Sequence, residues 1–250
     1  MEVNYYKTFS QSIQRDMEYK TYGNAGQGVL VFPSQDQRFY EWEDHGMIDV
    51  LAPMIEQGLI RLICCDSIDA ETWSRTDGDY HERIELHERW FNYIVNELIP
   101  EVRIRDNEQF IVTGCSMGGY HAGNFFFRRP DLFSTLFSMS GLFYADYFFP
   151  NYDDELIYRN SPEAFLKDYN APNVLLNRYR NKRIVLCCGQ GQWEGVTQAS
   201  TGRLGAILDS KGISNWVDIW GKDVFHDFEW WRKQVVYHFG FILEQLRIAA

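Results

Sequence analysis

Phe110-Ile-Val-Thr-Gly-Cys-Ser-Met-Gly-Gly-Tyr-His-Ala-Gly-Asn-Phe-Phe-Phe-Arg-Arg129 decides how the rest of the chain is read. It opens with an apolar, β-branched run, Phe110 to Thr113, that predicts a buried strand. It closes with small and aromatic residues at helical spacing, and Pro130 stops that helix. Between them lies Gly114-Cys115-Ser116-Met117-Gly118, a G-x-S-x-G sequence in the strand–turn–helix setting of a nucleophile elbow. A serine on so strained a turn needs glycine beside it, because neighbouring backbone comes very close. Its hydroxyl then projects from the sheet at the amino end of a helix, whose dipole favours developing negative charge. Ser116 is the candidate nucleophile. The five-residue pattern alone would also fit a Gly-rich turn in any α/β protein; the strand before, the helix after and Gly119 favour the catalytic reading.

The composition bounds what surrounds this elbow. The chain has 250 residues, of which 45% are hydrophobic, 24% charged and 16% aromatic. That suits one globular α/β domain with a large core, spanning 1–250. The formal charge is 24 − 35 = −11, which argues against nucleic acid or an anionic membrane surface as partner. No apolar run is long enough to span a bilayer, and the N-terminus lacks the regions of a signal peptide. The five cysteines, Cys64, Cys65, Cys115, Cys187 and Cys188, fall in or at the ends of apolar runs. An odd count with two vicinal pairs makes a poor disulfide framework, so a reducing cytoplasm is expected. Neither pair has metal-ligand spacing, and no zinc pattern is read.

In chain order, 3–10 and 15–22 predict an antiparallel hairpin at a sheet edge. Strands are expected at 29–32, 59–65, 135–140, 183–188 and 215–220. Helices are expected at 46–57, at 83–98 closed by Pro100, at 201–211, and from about Phe228 onward. Residues 66–80 read as a polar loop that includes Trp73. Residues 142–181, with Pro150, Pro162 and Pro172, break the rhythm and read as a cap-like insertion above the sheet. Strands alternating with helices imply a mainly parallel sheet with helices on both faces.

A serine nucleophile needs a base, and the base needs an acid to fix its tautomer. In an elbow-type fold the chain order is serine, acid, histidine. His45, His81 and His87 precede Ser116. His121 lies on the elbow helix and His238 in the middle of the last helix, where packing roles are ordinary. His226 alone lies on the loop between the last strand and the last helix, and it is the candidate base. Glu194 is the only carboxylate on the loop after the strand ending at Cys188, and it is the candidate acid, with Asp223 as fallback. The oxyanion hole is expected to use the backbone N–H of Met117. A second N–H should come from Phe32-Pro33-Ser34-Gln35, where proline has none to give. Ser34 or Gln35 must supply it, and Gln35 is favoured.

Val-Phe-Pro-Ser (31–34), Gly-Cys-Ser-Met-Gly-Gly-Tyr-His-Ala (114–122), Met-Ser-Gly (139–141), Gly-Gln-Trp-Glu (191–194) and His-Asp-Phe-Glu-Trp-Trp (226–231) carry a resemblance over nearly the whole chain. It resembles the esterase branch of the α/β-hydrolases that includes esterase D (S-formylglutathione hydrolase), feruloyl esterases and mycolyltransferases. The resemblance implies an α/β-hydrolase fold and a metal-free, cofactor-free serine hydrolase of small carboxylic esters, with Ser116, Glu194 and His226 as triad. Two departures stand out. The acid is Glu where many relatives have Asp, and the His-Gly expected after the third strand is missing. An acyltransferase or thioesterase would use the same residues, and a non-catalytic binding module could share the fold. Exposed aromatics in the hairpin or the insertion would suit a homo-oligomer. Phe143, Tyr144, Tyr147, Phe148 and Phe149 offer an aromatic wall for a bulky acyl or aryl group, or simply pack the insertion down.

Overall fold

Two strands of mixed polar and aromatic residues open the chain, and pairing holds them. β1 (Val3–Ser10) and β2 (Arg15–Tyr22) are antiparallel, from Val3 opposite Tyr22 to Ser10 opposite Arg15. Their turn is fastened from outside, since Glu97 accepts the Ser12 and Gln11 N–H groups at 2.8 and 3.1 Å. The computed structural model describes residues 1–169 and 174–249, without the side chains of 174–176 and 246–249. Pro172 lies outside the described residues.

After the hairpin come β3 (Gln27–Phe32), the short α1 (Glu41–Asp44), α2 (Met47–Glu56) and β4 (Ile60–Cys65). Next are α3 (Tyr80–Tyr93), α4 (Ile99–Val102), β5 (Phe110–Cys115), α5 (Met117–Arg128) and β6 (Phe133–Met139). The stretch between β6 and β7 holds α6 (Glu155–Arg159), α7 (Pro162–Asp168) and α8 (Val174–Arg180). The chain then runs through β7 (Arg183–Cys188), α9 (Gly195–Ser210), β8 (Trp216–Ile219) and α10 (Phe228–Ala249). The eight strands form one sheet in the order β1-β2-β4-β3-β5-β6-β7-β8. The hairpin joins it antiparallel through β2 and β4, and every pairing from β4 to β8 is parallel. This is the mainly parallel, hairpin-edged sheet of an α/β-hydrolase. No helix among the described residues is long and apolar enough to cross a membrane.

The central strands are buried on both faces, as a parallel sheet covered by helices requires. Leu30, Phe32, Phe110 and Val112 point into one core with Trp90 of α3, Phe125 of α5 and Leu204 of α9. Val29, Val31, Ile111 and Cys115 point into the other, with Leu51 of α2 and Val235 and Phe239 of α10. The period of two along each strand sorts them. A third cluster, with Trp73, Met117, Tyr120 and Phe149, lies where the 142–169 region meets the elbow helix.

Three boundaries differ from the sequence reading. The 83–98 helix begins earlier, at Tyr80, because the Asp79 carboxylate caps it by accepting the Glu82 N–H at 3.1 Å. Nor does Pro100 close it, since a wide π turn over Ile94–Leu98 leads into α4 with Pro100 in its first turn. The wide turn shifts the carbonyl that a proline ring would otherwise meet. The 66–80 segment turns inward, with Trp73 only 1% exposed. Its indole N–H donates to His87 Nδ1 at 3.0 Å, and His87 Nε2 in turn meets Asn160 Oδ1 at 3.0 Å. Asn160, buried, also accepts from Asn124 and Arg128 and donates to Glu88, tying the 142–169 region to α3 and α5. Finally, α9 starts at Gly195, directly after Glu194, and not near Thr201.

Candidate active site

Ser116 sits between β5 and α5 with φ 57° and ψ −119°, a left-handed φ that a non-glycine residue adopts only under constraint. Backbone packed against the turn supplies that constraint. A Cβ on Gly118 would come within 2.3 Å of the Phe32 carbonyl oxygen, and one on Gly114 within 2.4 Å of Gly118. The segment after β3 therefore lies directly over the start of α5, and only glycine fits beneath it.

The last two parallel crossovers bring the other residues to the same sheet end. His226, on the loop between β8 and α10, meets Ser116 Oγ through Nε2 at 2.8 Å. Its Nδ1 lies 3.3 Å from Glu194 Oε2. The His226 ring stands edge-on to Trp231, with centroids 4.8 Å apart. The structure thus brings Ser116, Glu194 and His226 together from positions 110 and 32 residues apart in the chain. Asp223 is solvent-exposed. His121 is fully buried on Asp69 at 2.8 Å, and His238 lies against Asp218 at 2.9 Å.

Glu194 has no exposed side-chain surface, so its charge needs hydrogen-bond donors. Ser140 Oγ donates to Oε1 at 2.6 Å, the Gly189 N–H reaches the same oxygen at 3.3 Å, and the Thr197 hydroxyl donates to Oε2. Burial opposes ionisation, but the bonds to His226, Ser140 and Thr197 outweigh it and hold Glu194 below the ordinary glutamate pKa. Ser140 is itself fixed, accepting from Trp231 Nε1 at 3.1 Å, at a φ of 52°. Sequence reasoning gave Ser140, Thr197 and Trp231 no role. A serine at the end of the strand beside the acid-bearing strand was the available signal.

On the oxyanion side, Ser34 is committed. Its N–H donates to Glu41 Oε2 at 2.8 Å and its hydroxyl to Oε1. Glu41 is 2% exposed, and burial pushes its pKa up despite those bonds. Gln35, the next residue, lines a cavity of about 430 Å³ together with Ser116 and Met117. Leu142, Tyr147, Phe148, Trp193 and Val196 give that cavity its apolar side. Trp193 is 78% exposed and held at a φ of 68°. The aromatic run therefore divides: Tyr147 and Phe148 face the cavity, Phe143 and Phe149 are buried in the packing, and Tyr144 lies beside Arg203.

A family model described as "Putative esterase" matches residues 10–242. Among solved structures, a ferulic acid esterase superposes with a TM-score of 0.75 at 15% identity, covering 97% of this chain and 98% of that one. An S-formylglutathione hydrolase from Agrobacterium tumefaciens gives 0.74 at 12% identity, over 97% and 94% of the two chains. MPT51 of Mycobacterium tuberculosis gives 0.70 at 15% identity, over 98% of each. At such identities these likenesses speak for the fold. Among curated protein sequences, none matches. With the family model running across nearly the whole length, the chain belongs to the Esterase family and is a carboxylic ester hydrolase on the α/β-hydrolase fold.

Proposed function

We propose that the chain cleaves carboxylic esters through an acyl-enzyme on Ser116, with His226 as general base and acid and Glu194 as its orienting carboxylate. The 2.8 Å approach of His226 Nε2 to Ser116 Oγ supports this most strongly, because proton transfer requires hydrogen-bond reach. His226 takes the hydroxyl proton as Ser116 Oγ attacks the ester carbonyl carbon. The carbonyl oxygen becomes an oxyanion, stabilised by the N–H groups of Met117 and Gln35. Gln35 is preferred over Ser34 because the Ser34 N–H is already held by Glu41. The carbon–oxygen bond to the alcohol breaks, and the alcohol leaves with the proton from His226. Water then attacks the acyl carbon as His226 takes its proton. The bond from that carbon to Ser116 Oγ breaks, His226 returns the proton to Oγ, and the acid leaves. Throughout, Glu194 keeps the imidazole in the tautomer with Nδ1 protonated and stabilises its charged form.

The cavity suits a small ester with an apolar acyl or aryl group against Leu142, Tyr147, Phe148 and Trp193. The test is fluorophosphonate labelling read by peptide mass spectrometry, together with turnover of an aryl ester. Label on Ser116 that disappears in His226→Ala is expected. Ser116→Ala should lose turnover on the order of 10⁶-fold while keeping its circular dichroism. A folded Ser116→Ala protein that still turns over ester would overturn the assignment.

A further inference from the structure

On the face of the sheet packed by α10, three ligand-type side chains converge away from the Ser116 cavity. Cys187 on β7 and Asp218 on β8 are direct partners in the parallel register, so both side chains leave the sheet on the same side. His238 of α10 packs onto that side, its ring held by Phe137 and Trp216 at 4.9 Å each. Cys187 Sγ, an Asp218 carboxylate oxygen and a His238 ring nitrogen lie within 4.8 Å of one another.

The hydrogen bonding around His238 is one proton short. Nδ1 lies 2.8 Å from the Gln234 backbone oxygen and Nε2 lies 2.9 Å from Asp218 Oδ2. Both neighbours are acceptors, and a neutral imidazole has a single N–H. If Nδ1 donates to the Gln234 carbonyl, the Nε2 lone pair points at a carboxylate lone pair. In the other tautomer Nε2 donates to Asp218 Oδ2, which also accepts the Trp220 indole N–H at 2.8 Å, and the Nδ1 lone pair then faces the carbonyl. In either tautomer one contact is left for a second proton or a cation to satisfy. The Nδ1–H to carbonyl arrangement is the one that metal-bound histidines use to fix ring and tautomer. One turn earlier on the same helix, the buried amide of Gln234 has no hydrogen-bond partner on either atom among the described residues.

We propose that Cys187 Sγ, the Asp218 carboxylate and His238 Nε2 bind one thiophilic divalent cation of the zinc class. Thiolate, carboxylate and neutral imidazole carry two negative charges, which match a dipositive ion. A tetrahedral ion holds such atoms about 3–4 Å apart, so the 2.9 Å His238–Asp218 contact must open slightly while the wider separations of up to 4.8 Å draw in. Binding releases the thiol proton to solvent. The Asp218 side chain, 25% exposed, gives the entry path and leaves a coordination position for water. No continuous motif announces this site, because each donor comes from a different element.

The test uses the full chain, stripped with chelator and titrated with Co²⁺, followed by absorption and thermal unfolding. A saturable thiolate-to-cobalt charge-transfer band at one equivalent, a raised Tm and displacement by Zn²⁺ are expected. Asp218→Asn, at a partly exposed position, should weaken binding about tenfold or more. Cys187→Ser should lose the band while Cys64→Ser keeps it. Should Cys187→Ser not fold, wild type and Asp218→Asn still decide. Absence of a band in folded wild-type protein, or binding unchanged in Asp218→Asn, would overturn the proposal.

Discussion

Ser140 illustrates how much of the site rests on a side chain that touches no reacting atom. Its hydroxyl gives Glu194 a charge-assisted bond and takes one from Trp231. Ser140→Ala should lower kcat about tenfold with KM little changed, since a bond to a charged group contributes about 1.5–3 kcal/mol. It should also alter the pH dependence of stability. Glu194 has a folded pKa below its ordinary value, so its contribution is full above the ordinary glutamate range and is lost as pH falls through the folded pKa. Removing Ser140 brings the folded pKa back toward the ordinary value. The difference in unfolding free energy between about pH 7 and about pH 4 should therefore shrink in Ser140→Ala, as measured by urea titration. An unchanged difference would mean that Thr197 and Gly189 suffice to hold the Glu194 charge.

At the level of elements, Glu41 of α1 fixes the segment after β3 by taking both Ser34 donors. Glu41→Gln can accept only one of them well. We expect kcat to fall about tenfold, less than the ~100–1000-fold that follows loss of an oxyanion donor outright, with KM nearly unchanged. A rise in KM alone would assign Glu41 to substrate binding instead. This contact also shows where the sequence ceased to be legible. The strands, the elbow and the loops bearing Glu194 and His226 were readable because each follows local rules: a period of two, a Gly-flanked serine, a residue placed between strand and helix. Glu41, Ser140 and Asn160 act through partners 7, 54 and 73 residues away, and nothing local marks them. The α3 overrun past Pro100 and the early start of α9 were missed for a related reason. A π turn and an acid that directly precedes a helix depart from the usual stop and start signals.

For the whole molecule, the excess of acid makes acid stability the sensitive coordinate. The Arg61 fork holds Glu108 at 2.8 and 2.9 Å with both side chains at most 5% exposed. Although burial opposes it, this pairing keeps Glu108 below the ordinary glutamate pKa. Like Glu194, it stabilises fully above the ordinary range and loses that contribution as pH falls through the folded value. Arg61→Met should cost about 3–5 kcal/mol, because it leaves the buried Glu108 charge with only the Ile104 N–H and the longer 3.4 Å contact to Arg105, and Arg61→Met with Glu108→Leu should recover most of it. Thermal unfolding at neutral pH checks both, and a double variant no better than the single would show that packing, and not charge, dominates there. The cysteines add a property of a different kind. All five are free and buried, on β4, at the end of β5 and on β7. A thiol reagent in solution can therefore modify only molecules that have opened. The chain carries three internal clocks, near one edge, the centre and the far side of the sheet, and the order in which they run reports which part of the protein breathes first.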